Sequence, residues 1–174
     1  METTKQATAT VTHTTIASRL GELTVVARDG AVTGLYFPHH WYMPDRAGFG
    51  ARSDAGFGAV REQLGEYLAG DRRRFDLPVR AHGDELQERV WELVSQIPYG
   101  ETVSYGELAR DLGDGITAQE VGAAVGRNPV CILIPCHRVV GAGSKLTGFA
   151  GGLGRKRFLL DTERNVARPS SRLF

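Results

Sequence analysis

The sequence lacks the features of secreted, fibrous and membrane-spanning proteins. Its two cysteines, Cys131 and Cys136, are too few for a disulfide framework, so we expect a reducing compartment in which a free thiol survives. No apolar run approaches the roughly 20 residues that cross a bilayer, and the polar residues 1–10 lack the apolar stretch of a signal peptide. These absences predict a cytoplasmic protein that does not bind a membrane.

The chain also lacks an excess of charge of one sign. It carries 21 basic and 20 acidic residues, and the net charge of +1 argues against DNA binding by bulk charge alone. The charge is unevenly placed, because residues 84–126 hold 2 basic and 9 acidic residues whereas residues 127–174 hold 9 basic and 2 acidic ones. The basic segment is either a contact for a phosphate backbone or a solvated surface.

What remains is the composition of an ordinary globular protein. The 174 residues are 41% hydrophobic and 24% charged, and this length suits one domain or two small ones. A chain of this size buries about 70% of the surface that it exposes when unfolded, which is enough for a hydrophobic core.

The first half predicts a small sheet and one helix. Alternating or β-branched stretches indicate strands at residues 11–16, 23–27 and 32–37. An Asp-Gly pair at residues 29–30 marks a hairpin turn, and residues 38–58 predict a long loop. The apolar spacing over residues 60–68 predicts an amphipathic helix that Gly70 ends, and residues 75–79 predict an edge strand.

The second half predicts helices. Three pairs resemble capping boxes and mark helix starts: Asp84 with Gln87, Ser104 with Glu107, and Thr117 with Glu120. The helices are expected over residues 84–97, 105–112 and 118–126. The last two have the spacing of a helix-turn-helix, although most short helix pairs only pack together. Residues 81–83 resemble a linker, which predicts domains of residues 1–83 and 84–174.

The last of these helices has an unusual composition, because residues 121–126 contain two glycines, two alanines and no charge. Each glycine inside a helix costs about 1 kcal/mol relative to alanine. Close approach of another backbone or of a ligand explains that cost, and tight helix packing explains it equally well.

The residues best suited to chemistry follow a proline. Residues 132–134 predict a short buried strand that Pro135 ends, and Cys136, His137 and Arg138 come next. Neighbouring positive charge favours the thiolate, which is a strong nucleophile. A lone buried cysteine is more often a small hydrophobic residue and a lone histidine a structural one, so both interpretations stay open.

The other cysteine and histidines do not predict a metal site. Cys131 lies within an apolar run and is interpreted as structural, and no second cysteine pair or thiol near His39-His40 completes a ligand set. Residues 141–152 contain five glycines but lack the Lys-Ser/Thr ending of a phosphate-binding loop. This segment predicts a flexible lid or a pocket wall.

Several blocks of the second half resemble the O6-alkylguanine-DNA alkyltransferases, also called methylated-DNA–protein-cysteine methyltransferases. Residues 128–140, NPVCILIPCHRVV, are similar to the active-site signature of that family. The similarity continues in order through residues 97–105, the Val121-Gly122 pair and residues 147–153, and it covers roughly residues 84–163. The first half resembles the family only in size and strand pattern.

The resemblance implies an α+β fold, with an N-terminal ribonuclease-H-like sheet and helix and a mostly helical C-terminal domain that holds a helix-turn-helix-like motif. It implies direct reversal of O6-alkylguanine, and of O4-alkylthymine, by alkyl transfer to a cysteine that acts once, without metal or cofactor. The implied partner is double-stranded DNA, bound through its minor groove with the alkylated guanine flipped out. The protein would be a monomer associated with the nucleoid when bound to DNA.

The resemblance also implies catalytic roles for five residues. Cys136 would accept the alkyl group, and no second cysteine would reach in to resolve the thioether. His137 would act as a base through a water, with Glu163 orienting its imidazole. Asn128 would form hydrogen bonds around the thiol, and Tyr105 would expel the nucleotide and donate a proton to the departing guanine.

The implied base-binding residues are Val139, Phe149, Ala150, Gly151 and Lys156. The Val139 carbonyl would accept from the exocyclic amine of guanine, and the Ala150 N–H would meet the O6 atom. Lys156 would favour the thiolate. Phe149 stands where the family commonly has tyrosine, which keeps stacking and loses a hydroxyl.

The implied DNA contacts are Tyr105, Gln119, Gly122, Ala123, Gly126, Arg127 and Arg138. Small residues on the second helix would let it enter the minor groove without colliding with the walls. The family usually has an arginine where Gln119 stands, to fill the gap left by the flipped base. Glutamine can still bond the orphaned base but lacks the charge, and Glu120 adds a negative charge near the phosphates.

Three other functions use some of the same residues. A protein that binds the lesion without transferring the alkyl group would explain Gln119 and Glu120 on the DNA-binding helix. Relatives of that kind, however, lack the cysteine that is present here. A cysteine hydrolase with Cys136 and His137 would turn over repeatedly on an ester or amide. A transcription regulator using residues 105–126 would prefer an operator sequence, which the second helix lacks the side chains to read.

Overall fold

The computed structural model describes residues 8–168, in which a four-stranded sheet precedes a mostly helical region. The strands are β1 (Val11–Ser18), β2 (Gly21–Arg28), β3 (Ala31–Tyr36) and β4 (Ala51–Arg52). Their order is β3-β2-β1-β4, and every pair is antiparallel except β1 with β4. The three strands predicted from the sequence are confirmed, and Asp29 and Gly30 turn at positive φ between β2 and β3.

Helix α1 (Gly58–Leu68) packs on this sheet, which confirms the predicted helix. Val60, Leu64 and Tyr67 are buried in the core, and Gly70 follows with a φ of +84° that suits a residue without a Cβ. The loop before α1 contains a short 3₁₀ helix, Arg46–Phe49.

The edge strand expected over residues 75–79 is wrong. At this point the described chain forms a single bridge, in which Val32 N donates to the Pro78 carbonyl at 2.8 Å and Arg80 N donates to the Val32 carbonyl at 2.9 Å. Proline has no N–H to continue a ladder, so the pairing stops after one step.

The second half contains α2 (Glu85–Ser95), α3 (Tyr105–Leu112), α4 (Ala118–Gly126) and α5 (Leu153–Ala167). The first three begin at the predicted capping boxes, and in each box both hydrogen bonds between side chain and backbone are present. Helix α5 was not apparent from the sequence, because its glycine-rich entry and basic first turn obscure the apolar face that buries Leu159 and Leu160. Within residues 8–168 no helix is both long and apolar enough to span a bilayer.

The strand expected over residues 132–134 is also wrong. Ile132 has a φ of +71°, which β-branched residues rarely adopt, and the chain turns back on itself there. Asn128 fixes the turn, because its Oδ1 accepts from Val130 N and its Nδ2 donates to the Ile134 carbonyl, both at 2.9 Å. The amide thus satisfies backbone groups that strand pairing would otherwise use.

The two halves share one continuous hydrophobic core, and the expected α+β fold is confirmed. Leu35 N of β3 donates to the Pro129 carbonyl at 2.8 Å. The Arg155 guanidinium of α5 donates to the carbonyls of Leu20 and Pro38. In the second half, two short strands, β5 (Val103–Ser104) and β6 (Val139–Val140), pair in parallel. Strand β6 follows Cys136 closely in the chain.

Candidate active site

Cys136 begins a 3₁₀ helix (Cys136–Arg138) directly after Pro135. Its N–H donates to the Ile134 carbonyl at 2.7 Å, so the turn fixes its position. The residue is only 3% exposed, yet it lines a cavity of about 130 Å³. This volume is below the roughly 300–1,000 Å³ of typical ligand pockets, so the cavity suits a single base better than a whole nucleotide.

A second thiol lies beside the first. The Sγ atoms of Cys131 and Cys136 are 3.8 Å apart, within hydrogen-bonding distance for sulfur, a contact that the sequence did not predict. The expectation that no second cysteine resolves the thioether stays a prediction. The Cys131 hydrogen bond lowers the pKa of Cys136, burial opposes it, and the Asn128 amide and Lys156 ammonium lower it further. The same bond and burial raise the pKa of Cys131. In the described part of the chain, no cluster of three metal-ligating side chains includes these thiols.

The structure brings His137 and Glu163 together. The imidazole is fully buried, and its Nε2 lies 2.9 Å from Glu163 Oε1. Its Nδ1 has no hydrogen-bond partner among residues 8–168. Burial is the largest cause that lowers the pKa of His137, and with the positive charges of Arg138 and Lys156 it outweighs the hydrogen bond and charge of Glu163, which raise it. The ring is therefore neutral at neutral pH, with Nε2–H donating to the carboxylate and a free lone pair on Nδ1.

Glu163 is the centre of a buried hydrogen-bond network. Besides the His137 bond, it accepts from the Arg138 guanidinium at 2.7, 2.9 and 3.1 Å, from the Tyr67 hydroxyl at 2.6 Å and from Gly100 N at 3.2 Å. Burial raises the pKa of Glu163, but the hydrogen bonds from His137 and Arg138 outweigh it and hold the pKa well below its usual range. The carboxylate is ionised and fixed in place.

The DNA contact expected of Arg138 does not fit its position. The residue is 8% exposed, and its guanidinium is taken up by Glu163 and by the Ile97 carbonyl at 2.7 Å. Tyr67, by contrast, is a site residue that the sequence did not reveal. Its hydroxyl lies 3.2 Å from His137 Nε2, but in the sequence it is one apolar-face position of α1 among several.

Lys156 is fully buried near the thiol. Its Nζ donates to the Val139 carbonyl at 2.6 Å and to the Gly148 carbonyl at 2.9 Å. Burial lowers the pKa of Lys156 to about 8, and the neighbouring Cys136 opposes this. The Val139 oxygen has two lone pairs, so one remains for another donor.

The cavity walls include two of the five expected base-binding residues, Phe149 and Ala150, whereas Val139, Gly151 and Lys156 do not line it. Tyr105, Phe149 and Ala150 line the cavity together with three small residues of α4, Gly122, Ala123 and Gly126. Gly151 stands behind this wall, where an added Cβ would lie 2.4 Å from the Phe37 ring. Trp41 and Tyr42, two aromatic residues of the loop before α1, line the cavity as well, together with Val125 and Gly148. Nothing in the local sequence of the two aromatic residues marked them.

The remaining expected DNA contacts lie on the exposed side of α4. Gln119 is exposed in the first turn. The Glu120 carboxylate accepts from Thr117 N at 2.8 Å and from Thr117 Oγ1 at 2.9 Å, so it stabilises the helix start. Arg127, at the end of α4, places its guanidinium 3.7 Å from the centre of the Tyr42 ring.

Replacing Cys131 tests its effect on the pKa of Cys136. In the neutral pair the Cys136 thiol donates to Cys131 Sγ, and once Cys136 is deprotonated the Cys131 thiol donates to the thiolate instead. Cys131→Ala removes that donor, so the pKa of Cys136 rises and its thiolate forms at higher pH. We expect alkylation of Cys136 by iodoacetamide to slow about tenfold at neutral pH, the effect of a ~1.4 kcal/mol hydrogen bond to a charged group. Mass spectrometry across a pH series measures the rate. Cys131→Ser keeps a donor and should lose less, and a rate profile that does not move in Cys131→Ala would contradict the assignment.

Replacing Glu163 tests the buried network. Glu163→Gln leaves the Arg138 guanidinium without its counter-charge and should lower the free energy of unfolding by about 3–5 kcal/mol in urea denaturation at neutral pH. Glu66→Gln is the matched control, because Glu66 forms a 2.6 Å pair with Arg72 at the surface, and it should cost less than ~1 kcal/mol. Equal losses in the two variants would refute the network.

The network also predicts a direction of acid sensitivity. The folded pKa of Glu163 is depressed, so its stabilisation is present above the unfolded pKa of about 4.3 and is lost as the pH falls toward the lower folded value. Below that unfolded pKa, Glu163→Gln should lose less stability on acidification than the parent chain. Parallel acid-denaturation slopes for the two proteins would be the contrary result.

Two family models match the chain. The model described as "6-O-methylguanine DNA methyltransferase, ribonuclease-like domain" matches residues 11–81. The model described as "6-O-methylguanine DNA methyltransferase, DNA binding domain" matches residues 85–165, which include the cavity-lining helices and the turn before Cys136.

Whole-chain relatives agree with the family models. The methylated-DNA–protein-cysteine methyltransferase of Mycolicibacterium paratuberculosis is 46% identical over 164 residues, which cover 94% of this chain and 99% of the relative. The protein of the same name from Mycobacterium tuberculosis strain H37Rv is 43% identical over 162 residues, covering 93% and 98%. The crystal structure of Mycobacterium tuberculosis OGT in complex with DNA is 42% identical, with a TM-score of 0.84 over 89% of this chain and 94% of that one. The chain therefore belongs to the 6-O-methylguanine DNA methyltransferase family.

Proposed function

We propose that Cys136 is the acceptor through which this chain removes alkyl groups from O6-alkylguanine, and from O4-alkylthymine, in DNA. Family membership makes the chain a DNA-repair enzyme, a methylated-DNA–protein-cysteine methyltransferase. The observation that carries the assignment to Cys136 is a buried thiol with a lowered pKa, lining a cavity whose other walls include α4.

The first step removes the proton from Cys136. His137 is neutral and its Nδ1 lone pair is free, so it can take the proton through a bridging water. Glu163 holds the imidazole in the required tautomer and stabilises the imidazolium that forms. Asn128 supports the step indirectly, by fixing the turn that presents the thiol.

The second step transfers the alkyl group. The Cys136 thiolate attacks the alkyl carbon, a new S–C bond forms, and the bond between that carbon and guanine O6 breaks. The electron pair goes to the purine, and a proton from the Tyr105 hydroxyl neutralises it. Tyr105 lines the cavity, and burial raises its pKa, which keeps the hydroxyl protonated until the purine departs.

The product fixes the stoichiometry. A thioether carbon is not released by water. The Cys131 thiol, although 3.8 Å away, could free Cys136 only by displacing it as a thiolate, which is a poor leaving group from an unactivated alkyl carbon. Each molecule therefore acts once, and we propose that it does so as a monomer and without a cofactor. A cysteine hydrolase would instead need an acyl intermediate that water cleaves.

Double-stranded DNA is the proposed partner, with α4 in the minor groove. The cavity admits one ring system, so the alkylated guanine must leave the base stack and enter it. Gly122, Ala123 and Gly126 allow the close approach of the groove walls, and Gln119 lies exposed at the opposite end of the helix from Arg127. Contacts of this kind do not distinguish one base sequence from another. Repair at any site in DNA requires such sequence-independent binding.

Backbone groups and Lys156 complete the proposed base site. The free lone pair of the Val139 carbonyl accepts from the exocyclic amine of guanine, and the Ala150 N–H meets O6. Lys156 orients the Val139 carbonyl through the 2.6 Å bond to it and adds positive charge near the thiol. We place the domain boundary between residues 83 and 84, which the limits of the two family models, 81 and 85, support.

The transfer itself is tested with duplex DNA that carries methyl-labelled O6-methylguanine. We expect one label per protein molecule, located on Cys136 by peptide mass spectrometry, and no further release of methyl from excess DNA. Cys136→Ser should bind the duplex and acquire no label. An unmodified Cys136 in the tightly bound parent protein would identify a lesion-binding protein instead, and repeated turnover would exclude single use.

The DNA face is tested at Gln119. Gln119→Arg adds one positive charge at the exposed start of α4, so affinity for duplex should rise and the slope of log K against log salt should steepen by about 0.9. Fluorescence anisotropy over a salt series measures both quantities. Gln119→Met is the uncharged control of similar length and should leave the slope unchanged. An unaltered slope for Gln119→Arg would show that α4 does not face the phosphates.

A further inference from the structure

Trp41 and Tyr42 are the most exposed large hydrophobic side chains in residues 8–168, at 56% and 58%. The other exposed apolar residues, Val79 and Leu153, are single aliphatic side chains. Two adjacent aromatic rings left in water mark a contact site more often than a structural need. The rings belong to the loop before α1, which the steps of alkyl transfer leave unused.

The backbone of this loop has a defined conformation and is hydrogen-bonded to the cavity wall. His39 and Tyr42 have φ of +57° and +58°, the left-handed region that few residues other than glycine adopt. Trp41 N donates to the carbonyl of Ala150, a wall residue of the cavity, at 3.0 Å. Local strain of this kind persists where the surrounding structure holds it and where a function uses the resulting geometry.

Tyr42 also contacts the end of helix α4. The Arg127 guanidinium, at the end of α4, lies 3.7 Å from the centre of its ring. The loop therefore bridges the cavity wall at Ala150 and the end of the helix proposed to enter DNA. Both rings line the same cavity as the Cys136 thiol.

We propose that Trp41 and Tyr42 are binding residues for the extruded nucleobase, which they contact by stacking at the mouth of the cavity. The inference rests on the proposed function and adds a contribution from the N-terminal half to a cavity whose other lining residues belong to the C-terminal half. The cavity of about 130 Å³ is small for an O6-substituted purine, so part of the base would lie at the mouth, beside the two exposed rings. Stacking is tolerant of the base and of its substituent, because every base presents a flat π-face.

The test uses free O6-benzylguanine, which has no sugar or phosphate, beside duplex carrying O6-methylguanine. Trp41→Ala and Tyr42→Ala should each lower the second-order rate constant for modification of Cys136 by the free base, by about 5- to 100-fold. Trp41→Phe and Tyr42→Phe keep a flat ring and should stay within about threefold of the parent. Val79→Ala, an exposed apolar residue outside the site, is the matched control and should not change the rate.

Each other outcome decides against the proposal. Alanine variants that slow transfer only from the duplex would place the two rings on the DNA flank and not on the base. A parent protein that reacts with the methylated duplex but not with the free base would show that the protein site alone does not hold the base. Unchanged rates in both alanine variants, with normal transfer by the parent, would remove this role and leave the proposed function intact. Failure of the parent to accept methyl from duplex would instead remove the proposed function itself.

Discussion

One buried carboxylate organises the reactive part of this protein. Glu163 accepts hydrogen bonds from His137, Arg138 and Tyr67, and it is ionised although it has no contact with water. Arg138 neutralises its charge, and the depressed pKa follows from these bonds. Because the carboxylate takes the Nε2 side of His137, the opposite nitrogen is left free, and the thiol next in sequence has a base available.

The site is assembled from both halves of the chain. The turn between Asn128 and Cys136 and helix α5 supply the thiol, the imidazole and the carboxylate, whereas Tyr67 reaches the same carboxylate from α1. The loop before α1 reaches the cavity wall through the bond between Trp41 and Ala150. A change in the N-terminal half can therefore alter reactivity although the signature residues all lie in the C-terminal half.

The sequence predicted local features well and long-range contacts poorly. Capping boxes at Ser104 and Thr117 depend on residues three apart, and α3 and α4 begin where they predict. The run around Ile132 was misread as a strand, because the amide of Asn128 folds it back through bonds that its apolar composition does not show. The pairing of Glu163 with His137 came from family resemblance, while Tyr67 and the second thiol lie close to the site only through tertiary folding.

The central claim is that burial keeps His137 neutral, and that Glu163 holds its proton on Nε2 and leaves a free lone pair on Nδ1. Nitrogen NMR of protein labelled with ¹⁵N-histidine tests this directly, since protonated and free imidazole nitrogens have well-separated shifts. At neutral pH the His137 ring should show one protonated nitrogen, Nε2, and one free nitrogen, Nδ1. A ring protonated on both nitrogens, or one that carries its single proton on Nδ1, would contradict the account.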